Sequence, residues 1–131
     1  MPTRRAARER ALELAYECEQ RNLSAAALVE DLPVDPDPYA RELVIGIDEH
    51  REEVDALIRK YSEHWSIERM PVIDRALLRL GTFELGWMPD TPTPVIIAEA
   101  VELAKEFSTK DSGRFVNGLL ARIADDVRPD V

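Results

Sequence analysis

The chain has 131 residues, 45% of them apolar and 33% charged. That is one domain's length and a water-soluble globular composition able to bury about two-thirds of the unfolded surface, which excludes wholesale disorder and a second full domain. Against 17 Lys and Arg stand 26 Asp and Glu, a net charge of -9, and on that balance nucleic acid is a poor partner, because phosphate binding is driven by cationic side chains that release counterions.

Read in chain order, Thr3 is an N-cap for a helix running to about Arg21, with Ala7, Ala11, Leu14, Ala15 and Cys18 stepping by three and four. Asn22 breaks that pattern, and Ser24 caps a short helix to about Asp31. Asp37 followed by Pro38 starts a long helix, since proline is preorganised for the first helical position. Ala40, Leu43, Val44, Ile47, Val54, Leu57, Ile58 and Tyr61 hold the helical period through to about Lys60, with acids on the opposite face. Ser66 to Met70 reads as a short turn redirected at Pro71.

The next helix carries Ile73, Ala76, Leu77, Leu80 and Phe83, together with Gly81, where a missing side chain lets a neighbour approach. After the proline-rich stretch Met88 to Pro94, Thr93 and Pro94 announce a helix from about Val95 to Phe107. Ser108 to Ser112 is a polar break with Asp111 or Ser112 as cap, and a last helix follows from Arg114 to about Val127. Asn117-Gly118 inside it is a hairpin-type dipeptide, but its flanks step by three and four, and the glycine's cost of about 1 kcal/mol calls for a close helix crossing. The sum is an all-α fold of about six helices in one domain spanning 1–131, with no strand and no fixed-period repeat.

One cysteine, Cys18, excludes an internal disulfide framework and a four-thiolate metal site. No stretch reaches 18 uninterrupted apolar residues and Met1 to Glu13 lacks a secretory pattern, so a cytoplasmic protein without a membrane span is expected. His50 and His64 lie out of helical reach of each other and of Cys18, the five glycines are scattered, and the acids from Asp48 to Asp55 lack calcium-loop spacing. No catalytic residue, cofactor or metal site is expected, and the protein reads as a non-enzyme.

Charge position says more than charge total. Arg4, Arg5, Arg8 and Arg10 stand against the single acid Glu9 in the first ten residues, and Arg4, Arg5 and Arg8 fall on one helical face. They either bind an anion such as RNA or solubilise a helix end, although cations there oppose the macrodipole. Arg75, Arg79 and Arg114 form a second basic set that meets Phe107 and Phe115 only if the later helices pack together; each phenylalanine also fits an apolar stripe.

Four stretches, Arg8-Glu9-Arg10-Ala11-Leu12-Glu13-Leu14-Ala15-Tyr16, Asp74 to Leu85 (DRALLRLGTFEL), Glu99 to Phe107 (EAVELAKEF) and Phe115 to Leu120 (FVNGLL), occur in one order over nearly the whole chain. Together they resemble the signature stretches of the NusB family of bacterial transcription antitermination factors. The resemblance implies two packed three-helix bundles, six to seven helices in all. It also implies a non-enzymatic role: binding the boxA element of ribosomal RNA operons together with NusE, a small-subunit ribosomal protein, within the RNA polymerase antitermination complex. Carried over by position, Arg4, Arg5 and Arg8 would contact phosphates beside Tyr16. Arg79, Phe107, Asp111, Ser112, Arg114 and Phe115 would surround the RNA groove, and Glu68, Asp74 and Glu84 would meet the partner. Some family members form homodimers that hide the RNA face. Ala98 and Ala121 replace an Asn and an Asp common in the family, which puts local polar contacts in question. The reading from a different class is an acidic helical protein-interaction module whose arginines only solubilise it; a triple arginine-to-alanine variant with unchanged partner binding would favour that reading.

Overall fold

The computed structural model describes residues 3–63 and 65–129, so His64 lies outside the described residues. Every regular element among them is helical: α1 (Arg4–Arg21), α2 (Ala25–Asp31), α3 (Pro38–Glu49), α4 (Arg51–Tyr61), a 3₁₀ turn (Ile67–Arg69), α5 (Val72–Trp87), α6 (Thr93–Phe107) and α7 (Lys110–Val127).

The first three starts are set by local chemistry. The side chains of Thr3, Ser24 and Asp37 accept hydrogen bonds from backbone N–H groups of the first turns, of Ala6, of Ala27, and of Tyr39 and Ala40 respectively. Asn22 closes α1 in the left-handed region at φ 53, where Leu23 N–H reaches Cys18 O and Asn22 N–H reaches Glu19 O.

Three boundaries differ from the sequence expectation. The long helix expected from Pro38 to Lys60 is two helices that meet at His50, which has φ -114 and ψ 24 and caps neither with its side chain. Its ring packs on Trp87 with centroids 4.8 Å apart, and Trp87 stacks on Phe83 at 5.7 Å. Phe83 in turn occupies the space left open at Gly46, where a Cβ would lie 2.2 Å from its ring. Helix α6 begins at Thr93 with Pro92, which has no side-chain acceptor, in the N-cap position, and the Thr93 hydroxyl accepts from Arg128 Nη1 at 3.0 Å instead. Helix α7 begins at Lys110, capped by Thr109 rather than by Asp111 or Ser112; Ser112 is the N3 partner of Thr109 in a capping box.

Helix α5 is the shared element and packs against α1, α3, α4, α6 and α7. One bundle consists of α1, α2 and α3, and the other of α5, α6 and α7; α4 bridges them by packing on α3, α5 and α7. This is the two-bundle all-α architecture expected. Leu77, Leu78, Leu103, Leu119, Leu120 and Ile123 are fully buried at the centre of the second bundle, each worth about 1.5–3 kcal/mol relative to exposure. Gly81 is the close crossing there, for a Cβ would come within 2.7 Å of Leu120. Gly118 is not: a Cβ there meets nothing within 4 Å, so the crossing expected to offset its helix cost is absent.

Candidate nucleic-acid interface

The arginines at the start of α1 divide into two kinds. Arg4 is exposed, with its guanidinium carbon 3.9 Å from the centre of the Tyr39 ring, a cation–π contact worth about 0.5–1 kcal/mol at such a site. Arg5 is exposed and its Nε lies 3.4 Å from Glu99 Oε2 on α6. Arg8 is different: it is 5% exposed, and its Nε and Nη2 donate to the two carboxylate oxygens of Glu84, itself 1% exposed, at 2.8 and 3.0 Å. Burial opposes the Arg8 charge, but the hydrogen bonds and the negative charge of Glu84 outweigh it and hold the pKa above the ordinary guanidinium value. The three arginines therefore do not present one phosphate-binding face. Arg8 and Glu84, expected at the RNA and at the partner respectively, bind each other between α1 and α5 instead.

Beyond that ion pair, α1, the start of α5 and the end of α6 enclose a groove of about 400 Å³. Tyr16 and Phe107 both line it and stay 39% and 42% exposed, so Phe107 is not the core residue its spacing also allowed. Leu12 and Ile73 add apolar surface, while Glu9, Glu13, Glu17 and Gln20 of α1 complete the lining. Large apolar rings held half in water are a costly arrangement without a ligand, and their π-faces suit unpaired bases. Between Arg5, which reaches α6 at Glu99, and Tyr16, which shares its groove with Phe107, α1 advances about 16 Å at 1.5 Å per residue. Positive charge and aromatic surface are thus placed along one seam of the molecule.

The corner between α6 and α7 follows Phe107 directly. Asp111 and Arg114 are exposed there, Phe115 is half-buried against the core, and Ser112 is buried. Ser112 Oγ donates to Asp74 Oδ2 at 2.9 Å and Ser108 Oγ donates to Asp74 Oδ1 at 2.6 Å. Asp74 is 4% exposed, so it faces this corner and not a partner across solvent, and Ser112 is equally committed inside.

Arg79 is not beside Phe107. Its Nε and Nη2 donate to Asp55 Oδ1 and Oδ2 at 2.9 and 3.2 Å, tying α5 to α4. It opens with Arg75, Arg51, Glu19, Asp48, Glu68 and Cys18 onto a separate cavity of about 420 Å³. Glu68 is exposed and pairs with Arg59 at 3.3 Å. Ala98 and Ala121 are both exposed. Among the described residues no cluster of three His, Cys, Asp or Glu side chains is placed to hold a metal ion, and no helix is long and apolar enough to cross a membrane.

Two features had no sequence signal. Tyr39 supports Arg4 from 35 positions away in the chain. Arg128 donates to the carbonyls of Glu84, Leu85, Met88 and Thr91 and to the Thr93 hydroxyl, satisfying the free end of α5. Its acceptors are mostly backbone atoms, which no residue pattern marks.

Comparison with known proteins agrees in fold and in length. A family model described as the NusB family matches residues 5–125. The chain is 46% identical over 129 residues to the transcription antitermination protein NusB of Kineococcus radiotolerans, covering 95% of each. Among solved structures it resembles T. maritima NusB with a TM-score of 0.84 at 40% identity, covering 96% of this chain and 94% of that one. It also resembles a chain of the crystal structure of antitermination factors NusB and NusE in complex with dsRNA, with a TM-score of 0.80 at 31% identity and coverage of 94% and 96%.

Proposed function

The chain belongs to the NusB family, and on that premise we propose that it is a transcription antitermination factor that binds boxA RNA of ribosomal RNA operons together with NusE. The observation that carries this reading is the seam between α1 and α6, where the exposed Arg5 leads along α1 to two half-exposed aromatic rings facing one groove, with Arg4 beside it over Tyr39 of α3. Arg4 and Arg5 contact phosphates there. Tyr16 and Phe107 stack unpaired bases, with Asp111, Arg114 and Phe115 flanking the groove on the α6–α7 side. Arg8, Arg79, Ser112, Asp74 and Glu84 act from inside the fold, through the pairs described above. Glu68 remains available to a basic protein surface, and NusE, a ribosomal protein, is such a partner. The role is one of recognition rather than catalysis, and the assembly it serves helps RNA polymerase resist termination.

The acids Glu9, Glu13 and Glu17 on the α1 edge of the groove repel a phosphate backbone from that side. The protein alone therefore binds RNA weakly, and its partner supplies the missing positive charge. The test is a fluorescence-anisotropy titration of boxA RNA and of a scrambled RNA, with and without NusE, at two salt concentrations. Preference for boxA, strengthened by NusE and weakened by salt, supports the reading. Equal binding of the two RNAs in the presence of NusE refutes it and favours the protein-interaction module.

A further inference from the structure

Three consecutive residues at the start of α5 are committed in three directions, as side chains about 100° apart on a helix must be. Ile73 lines the groove that holds Tyr16 and Phe107. Asp74 accepts from Ser108 and Ser112 at the corner that follows Phe107. Arg75 forms an ion pair with Glu19 on α1, one helical turn beyond Tyr16, and its Nη1 donates to Met70 O at 2.6 Å.

The Asp74 contact is a closed network. Ser108 and Ser112 spend their hydroxyl protons on the carboxylate, which leaves Ser112 Oγ to accept from Thr109 N–H at 3.3 Å and from Thr109 Oγ1 at 2.9 Å. Thr109 Oγ1 accepts in turn from Ser112 N–H at 3.2 Å. Buried and charge-assisted, these bonds are the strong kind and fix the direction in which α7 leaves α6. From this geometry we propose that the first turn of α5 sets the width of the RNA groove, with Asp74 the positioning residue for the Phe107 wall and Arg75 for the Tyr16 wall. Neither side chain touches RNA; each holds in place the helix that carries one ring of the groove. This rests on the RNA-binding reading, but its geometric part does not.

The experiment uses the full chain in a Cys18→Ala background with spin labels at Gln20 on α1 and Glu106 on α6, both exposed. Interspin distances are measured without RNA, and affinity for a boxA oligonucleotide is measured on the unlabelled proteins in the presence of NusE. Asp74→Asn and Ser108→Ala are expected to broaden or shift the distance distribution and to weaken RNA binding at least about fivefold, at temperatures where circular dichroism shows both folded. Ser108→Thr keeps the hydroxyl and restores both readouts. Ser108→Ala removes one hydroxyl, with its bond to Asp74 at 2.6 Å and its contact with Ser112 Oγ at 3.0 Å, and keeps the test open if Asp74→Asn does not fold. Folded variants with parental distances and parental affinity overturn the proposal. If the parent protein with NusE binds boxA RNA no better than a scrambled RNA, the functional reading falls, while the distance measurement still decides whether Asp74 sets the groove.

Discussion

Replacing Arg8 by alanine separates an internal role from an RNA-contacting one. Both members of the pair are inside, with side chains 6% and 2% exposed, and the geometry is bidentate at 2.8 and 3.0 Å. Removing Arg8 leaves the Glu84 carboxylate buried without its counter-charge, a loss of about 3–5 kcal/mol. For a domain of this size that corresponds to a fall in Tm of roughly 10–20 °C. Replacing both residues by apolar ones, Arg8→Met with Glu84→Leu, removes the uncompensated charge along with the pair and should recover most of the loss, since such exchanges are often neutral or stabilising. The informative assay is the salt dependence of RNA binding in that double variant. Each phosphate contact contributes about 0.7 to the slope of log K against log salt for a single strand, so an internal Arg8 leaves the slope unchanged. A single Arg8→Ala variant within about 0.5 kcal/mol of the parent, or a double variant whose salt slope flattens by a full contact, would refute the argument.

Other expectations follow from the same geometry. Arg4→Ala and Arg5→Ala should each reduce the salt slope by about 0.7 and weaken boxA binding while leaving thermal unfolding nearly unmoved, as both side chains are exposed; unchanged slopes in both would remove them from the interface. Tyr16→Ala and Phe107→Ala should each cost about 1–3 kcal/mol of RNA affinity through lost stacking but little stability, which calorimetry and anisotropy together would check. Gly81→Ala should destabilise by about 1–3 kcal/mol because its Cβ meets Leu120, whereas Gly118→Ala should stabilise by about 0.5–1 kcal/mol in denaturant unfolding. The opposite order would mean that the two glycines have been assigned to the wrong surroundings.

What could be read from the residues depended on how far each structural cause reaches along the chain. The starts of α1, α2 and α3 were legible because Thr3, Ser24 and Asp37 act on N–H groups two or three residues away. The break at His50 was not, since the ring it packs on belongs to Trp87. The two glycines look alike in sequence, and only the position of Leu120 tells them apart. Arg8 carried a signal that was open to reading: it stands three and four residues before Ala11 and Leu12, both buried, so it shares the inward face of α1. Grouping it with Arg4 and Arg5 by charge overrode that spacing. The resemblance put Asp74 at the partner and Ser112 at the RNA groove, whereas both are buried and bonded to each other, because which way a short side chain points is decided by the helix it faces.

The two walls of the groove differ in how the chain holds them. The Phe107 wall is the turn of a helical hairpin, whose helices are neighbours in sequence and find each other after closing a very short loop. The Tyr16 wall is α1, and the pair that anchors it spans 76 residues, a closure costing about 4 kcal/mol in chain entropy by the logarithmic rule. Undocking α1 recovers that entropy but exposes Ala7, Ala11, Leu12 and Leu14 and breaks the Arg8–Glu84 pair, and it removes the exposed arginines and half of the aromatic surface in one event. RNA that bridges the two walls opposes that opening, so occupancy of the groove and amide-exchange protection of α1 rise and fall together.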